Sequence, residues 1–214
     1  NFLQPVYSYV SDDFLGLLDD EEGTWPNTTV NPEKMDIAVG RIPSKTVQEA
    51  AGVVAKIKQY NTTNNLADWR NKIVFVGDDE DGVTHMSQSN QLATLVDLND
   101  PDMELDKVYL DAYNQESTAG GSRYPEVNKA INRAVQDGAL LINYTGHGGE
   151  TGWAGERILS IEDITSWDKK TNMPVFVTAT CEFSRFDDPF RTSAGELVLL
   201  NPNGGGAALM TTTR

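Results

Sequence analysis

The chain has 214 residues, 39% of them hydrophobic and 23% charged, and a net charge of −15. This is ordinary globular composition for one large domain or two small, closely packed ones, and the acidic balance lacks the basic footprint that a nucleic-acid backbone demands. No apolar run approaches the roughly 18–20 residues of a membrane-spanning helix, and a single cysteine excludes an intrachain disulfide.

Asn1 follows neither a basic nor an apolar leader, and the chain stops at Arg214 just after an apolar run, which reads as a piece of a longer protein. Up to about Asn65, short apolar runs alternate with acidic turns. Asp36 to Val39 reads as a short strand ended by Arg41-Ile42-Pro43. Thr46 to Tyr60 reads as an amphipathic helix, with Val47, Ala50, Ala51, Val54, Ile57 and Lys58 at helical spacing and Ser44 or Thr46 as its cap. Asn61 to Asn65 is polar and turn-like. It is the expected joint between an N-terminal subdomain, residues 1–65, and a second one, residues 66–214.

Beyond the joint, strand and helix patterns alternate. Strands are expected at Lys72 to Val76, Lys107 to Leu110, Ala139 to Tyr144, Pro174 to Thr178 and Ala207 to Thr212. Helices are expected at Met86 to Leu98, Pro125 to Gln136 with Gly138 as a C-terminal cap, Ile161 to Trp167 and Ser193 to Leu200. The strands are apolar throughout rather than alternating. That pattern fits an α/β fold whose mostly parallel sheet is covered by helices on both faces.

Active sites in such sheets gather beyond the carboxyl ends of the strands. The third strand runs ALLINYTGHGG and delivers His147 just past its end; the fourth runs PVFVTATC and delivers Cys181 in the same way. Taken singly, the first reads equally as a turn histidine and the second as a core thiol. Taken together, at the ends of successive strands, they suit nucleophilic acyl transfer: a thiolate attacks, and an imidazole takes its proton. The oxyanion of the intermediate needs N–H donors, for which the backbone of Gly148 and of Cys181 are the candidates. His85, in the acidic loop before a helix, reads as a solvated or helix-entry residue.

The string Tyr144 to Trp153, YTGHGGETGW, resembles the gingipain family of caspase-like cysteine peptidases, in which YTGHGxExxW surrounds the catalytic histidine. FVGDDEDG, YLDAY, RYPEVN, VTATCEFSRFDDP, RTSAGE and NPNGGGAAL are similar to the sortase branch of that family, which serves type IX secretion, and this likeness covers nearly the whole chain. The resemblance implies a caspase-like three-layer fold and catalytic roles for His147 and Cys181. It implies a sortase at the outer face of the outer membrane, working with a β-barrel and other secretion components. Such an enzyme removes the C-terminal signal domain of cargo and joins the new carboxyl end to an anionic lipopolysaccharide. No cofactor is needed for that chemistry.

Arginine-specific gingipains carry a His-Glu pair in the loop after the first strand, whose Glu supports the catalytic histidine. This chain has His85-Met86, so either a dyad suffices or another acid takes the role, with the run Asp78, Asp79, Glu80 and Asp81 as the source of a substitute. Trp153 and Glu150, within the matched string, are candidates for the substrate pocket, with a packed loop anchor and an exposed loop residue as the alternatives. Arg185, Asp187 and Asp188 read either as cleft residues or as a salt-bridged loop. Gingipains are calcium-binding enzymes, and the runs Asp19 to Glu22 and Asp78 to Asp81 offer hard oxygen ligands without EF-hand spacing; each reads more readily as a solvated acidic turn. A general secreted protease and a catalytically silent scaffold are the competing functional readings.

Overall fold

The apolar runs expected as strands pair into one parallel sheet. The computed structural model describes residues 10–20, 22, 34–62 and 66–214. The chain divides into two compact units, Asn1–Pro43 and Ser44–Arg214.

In the first unit, Asp13–Leu15 form a single 3-10 turn. The Asp36 N–H donates to the Gly16 carbonyl at 2.8 Å, and the Leu18 N–H donates to the Asp36 carboxylate at 2.9 Å. These bonds replace ladder pairing, and the strand expected over 36–39 does not form; the segment runs as a bend and irregular chain. Arg41 holds Asp12 through two guanidinium nitrogens.

The second unit opens with α1, Val47–Tyr60, started by a capping box in which Thr46 accepts from the Glu49 N–H while Glu49 reaches back. Its buried positions are Val53 and Lys56; Val47, Val54 and Ile57, expected as the inner face, are exposed. Lys56 donates to the carbonyls of Leu199, Asn201 and Gly204 at 2.9, 3.2 and 2.7 Å. Burial pushes its ammonium down to about 8. This contact binds α1 into the second unit. The boundary between the units therefore falls at Pro43, ahead of α1, and not at the joint expected over 61–65, where residues 63–65 lie outside the described residues.

The sheet strands are β1 (Lys72–Gly77), β2 (Glu104–Tyr109), β5 (Leu141–Thr145), β9 (Val175–Ala179) and β10 (Ala208–Met210), in the order β10-β9-β5-β1-β2 and parallel throughout. Between β2 and β5 lie a hairpin of β3 (Glu116–Thr118) and β4 (Gly121–Arg123), then α3 (Pro125–Asp137), whose C-cap Gly138 has φ +98°. After β5 come three two-residue strands, β6 (Gly148–Gly149), β7 (Gly152–Trp153) and β8 (Leu159–Ser160), which form a small antiparallel sheet leading into α4 (Ile161–Ser166). α5 spans Ala194–Leu200. The hairpin and the small sheet carry no apolar periodicity and were not expected.

Alternation along β1 divides the core. Ile73 and Phe75 pack with Ala93 and Val96 of α2 (Thr84–Asn99), whereas Val74 and Val76 join a larger cluster with Ile131 of α3, Ile164 of α4 and Val198 of α5. Helices thus cover both faces, as a buried parallel sheet requires. The direction of winding reverses between β1 and β5, the place where such sheets open a crevice at their carboxyl edge.

Candidate active site

The loops after β1, β5 and β9 leave from that edge. The loop after β1 carries Asp78, Asp79, Glu80 and Asp81. The loop after β5 carries His147. Strand β9 pairs directly with β5, with Thr145 opposite Ala179, so His147 and Cys181 each stand two residues beyond the same rung of the sheet. The structure brings the two expected residues onto neighbouring loops at one level. Cys181 is a free, exposed thiol.

The His147 loop is fixed from below by Asp78, a fully buried carboxylate that accepts the His147 N–H at 2.8 Å. The Tyr144 hydroxyl and the Ala154 N–H both donate to the His147 carbonyl. Gly146 permits this closeness, because a Cβ there would stand 2.3 Å from the Asp78 Cβ. Gly148 does the same on the cysteine side: a Cβ would meet the Thr180 hydroxyl at 2.6 Å. Gly148 pairs with Trp153 while Ala154 donates to His147, so the alternation of an antiparallel ladder leaves the Gly148 N–H outside the β6–β7 bonding. That N–H is free of the ladder, as an oxyanion donor must be.

Of the four carboxylates in the β1 loop, Asp81 meets the imidazole: its Oδ2 lies 2.9 Å from His147 Nε2, with Glu80 farther off at 3.9 Å. The hydrogen bond to Asp81 is the main cause that holds His147 above its ordinary value, with the charges of Asp81, Asp78 and Glu80 acting against partial burial. The same bond holds Asp81 below the usual carboxylate range. With Nε2 engaged, Nδ1 is the nitrogen left to exchange a proton with a thiol. Asp81→Asn is expected to move the His147 titration midpoint down toward 6.5, because the imidazolium loses the partner that favours it. Proton NMR of the His147 ring in a Cys181→Ala background measures this, and an unmoved midpoint would refute the assignment. The accompanying fall in kcat is expected at about ten- to a hundredfold.

His85 is the helix-entry residue of its two readings, and it is only partly exposed. In the first turn of α2 its ring lies edge-on to His147, with centroids 5.0 Å apart. The sequence signal for this was absent, since the approach joins loops from two different strands.

A cleft of about 550 Å³ adjoins the histidine, lined by Glu80, His147, Gly149, Arg157, Ile161 and Glu162 among others. Trp153 backs this cleft as an anchor: its ring is fully buried, stacked on Tyr144 at 4.4 Å and set against Phe176 and Phe183. Glu150 is neither an exposed loop residue nor one of the residues around the cleft. It is clamped by Arg185 at 2.7 Å and Arg191 at 2.9 Å. Asp188 pairs with Arg191 at 2.9 Å, and Asp187 with Arg214. This is the salt-bridged loop reading of Arg185, Asp187 and Asp188, and it ties the segment after His147 to the segment after Cys181.

Among the described residues, the four non-glycine residues with left-handed backbone are Asp81, Ala154, Arg157 and Glu182, at φ +56, +58, +56 and +53°. All lie in the loops around the site, where strained backbone is retained when its surroundings over-determine it. Glu182 turns the chain sharply after Cys181, and Phe183 then anchors it in the core.

Two groups of side chains converge closely enough to hold an ion: Asp81, His85 and His147, and Asp78, Asp79 and Glu156. In the second, Tyr124 donates to Asp79 at 2.6 Å and Gln115 to Glu156 at 3.2 Å, but Asp79 Oδ1 and Glu156 Oε2 are buried without a hydrogen-bond partner. Burial, then the charges of Asp79, Glu80 and Asp78, pushes the Glu156 carboxyl up. The other acidic run is a self-closed turn, with the Asp19 N–H on Glu22 at 3.2 Å; Glu21 lies outside the described residues.

No curated protein matches the chain. Among solved structures, it is similar to the Arg-specific cysteine proteinase gingipain R, at a TM-score of 0.72 and 18% identity over 95% of this chain and 44% of that one. The complex of Porphyromonas gingivalis RgpB pro- and mature domains matches at 0.67 and 18% identity, over 84% of this chain and 41% of that one. The chain thus spans less than half the length of these proteins. The model of peptidase family C25 matches residues 1–214. Its parallel sheet and the gingipain likeness give the caspase-like α/β fold; by the family model, matched from end to end, the chain belongs to peptidase family C25.

Proposed function

We propose that the protein is a cysteine endopeptidase of the sortase kind, similar to PorU, acting at the cell surface on cargo of type IX secretion. The observation that supports the peptidase reading is the β5–β9 rung of Thr145 and Ala179, with His147 and Cys181 each two residues beyond it. Cys181 attacks the scissile carbonyl as thiolate and His147 takes and returns the proton. The N–H groups of Gly148 and Cys181 receive the oxyanion, and Asp81 orients the imidazole. The acyl-enzyme is released either to water or to the amine of an anionic lipopolysaccharide. The step from peptidase to sortase rests on the sequence strings shared with that branch.

The test is the intact mass of a cargo protein with its C-terminal signal domain, after incubation with the intact protein and a nucleophilic amine. Loss of the signal domain with the amine added to the new end supports the sortase. Broad cleavage of short peptides after arginine or lysine would favour a gingipain-like general protease, a reading that the acids Glu80 and Glu162 at the cleft make concrete. No processing of any substrate would favour a silent scaffold.

Asp78, Asp79 and Glu156 fit a structural calcium ion. Their donors are hard oxygens, two of them buried without a partner, and an ion there would neutralise carboxylates whose burial is otherwise costly. It would supply no chemistry to the reaction and would brace Asp78 beneath His147. Calcium at a hundredfold excess over its dissociation constant is expected to stabilise the fold by about 2.7 kcal/mol, a rise of roughly 5–10 °C in Tm. Glu156→Gln should remove most of that shift. An equal shift in the variant would move the ion elsewhere.

A further inference from the structure

We propose that Asp81, His85 and His147 form a transition-metal site that captures the catalytic base and switches the enzyme off; this rests on the peptidase reading given above. One donor atom from each residue converges, all within 4.8 Å of one another. Asp81 Oδ2 is the hub, at 2.9 Å from His147 Nε2 and 3.4 Å from His85 Nε2. The His85 nitrogen is buried, and beyond that ion-pair contact with Asp81 it makes no hydrogen bond. Two imidazoles and one carboxylate around an open position are a donor set for zinc and its neighbours, unlike the all-oxygen group one layer below, which suits calcium.

The geometry needs only a small adjustment. Zinc takes imidazole nitrogen at about 2.0–2.1 Å and carboxylate oxygen at about 2.0–2.2 Å. Donors at those bond lengths around a tetrahedral ion stand roughly 3.3 Å apart, so the 3.4 Å between Asp81 and His85 already fits, the 2.9 Å between Asp81 and His147 opens slightly, and the left-handed Asp81 sits in an exposed loop. On binding, the Nε2 lone pair of His147 goes to the ion, the proton it carried goes to solvent, and Asp81 changes from hydrogen-bond acceptor to ligand. Cys181 is not among the converging donors. The inhibition therefore acts on the base and not on the nucleophile, and His85, which has no part in the proposed mechanism, is the residue that makes the site.

The test uses two readouts on the intact protein. In a Cys181→Ala background, which removes any thiolate binding, Co²⁺ should produce a saturable visible absorption band that Zn²⁺ displaces. Adding His85→Gln should weaken Co²⁺ binding at least about tenfold, since loss of even an outer-shell partner costs that much at metal sites. In the active protein, Zn²⁺ should inhibit cleavage, and His85→Gln should keep its uninhibited activity while its inhibition curve shifts by the same factor. A band unchanged by His85→Gln, or no band at all, overturns the site whatever the activity. Zinc inhibition undiminished in His85→Gln places the ion on Cys181 and overturns it also. A protein without peptidase activity would defeat the peptidase reading alone, because the cobalt measurement needs no turnover.

Discussion

Cys181→Ala is expected to lower cleavage by a factor on the order of 10⁴ or more, with no loss of folded structure. The side chain is exposed, so its truncation opens no cavity and breaks no described hydrogen bond. His147→Ala should cost nearly as much, and the double variant little more than either, because a nucleophile and its base act as a unit. Single-turnover cleavage beside thermal unfolding measures both. Substantial cleavage by Cys181→Ala would remove the thiol from the mechanism. Loss of activity together with a large fall in Tm would show that the residue is structural.

The largest expected effect on stability lies well away from the thiol. Lys56→Met should destabilise the second unit by about 3 kcal/mol, a fall in Tm of roughly 6–12 °C. Methionine matches the length of the stem but leaves the carbonyls of Leu199, Asn201 and Gly204 buried without their donor. These carbonyls close the end of α5 and the turn into β10, so the cost falls on the catalytic unit itself. A change below about 0.5 kcal/mol, the size of an ordinary surface substitution, would mean that water replaces the ammonium and that α1 is not anchored there.

Lys56 also shows where sequence reading failed. Periodicity assigns the inner face of a helix to its apolar residues, which put Val47, Val54 and Ile57 inside. The helix instead turns a lysine inward, because an ammonium satisfies several orphan carbonyls that no apolar side chain could. The placement of the domain joint after α1 failed for the same reason, since the lysine carries α1 into the second unit. The strand expected at 36–39 failed because Asp36 found its partners in the distant segment at Gly16 and Leu18, an outcome settled by contacts and not by propensity.

The five sheet strands and the five helices were legible, since runs such as KIVFV and PVFVT can be buried only on both faces of a parallel sheet. The positions of His147 and Cys181 were legible for a related reason: strand ends in such a sheet are where loops converge. Neither the choice of Asp81 from four consecutive acids nor the approach of His85 was legible. The first depends on one left-handed backbone angle, and the second on the spacing between two loops. Trp153 was open between pocket wall and anchor, and it is both: it lines the cleft beside His147 while its ring stacks on Tyr144.

The pairing of Thr145 with Ala179 has a consequence in time as well as in space. The two reacting groups belong to segments joined only through the small antiparallel sheet and α4, so they meet when β9 docks on β5 and not before. Non-local parallel pairing of this kind is slow to form. During refolding, recovered turnover therefore reports the closing of that one ladder, while helical signals, set by local contacts, return earlier.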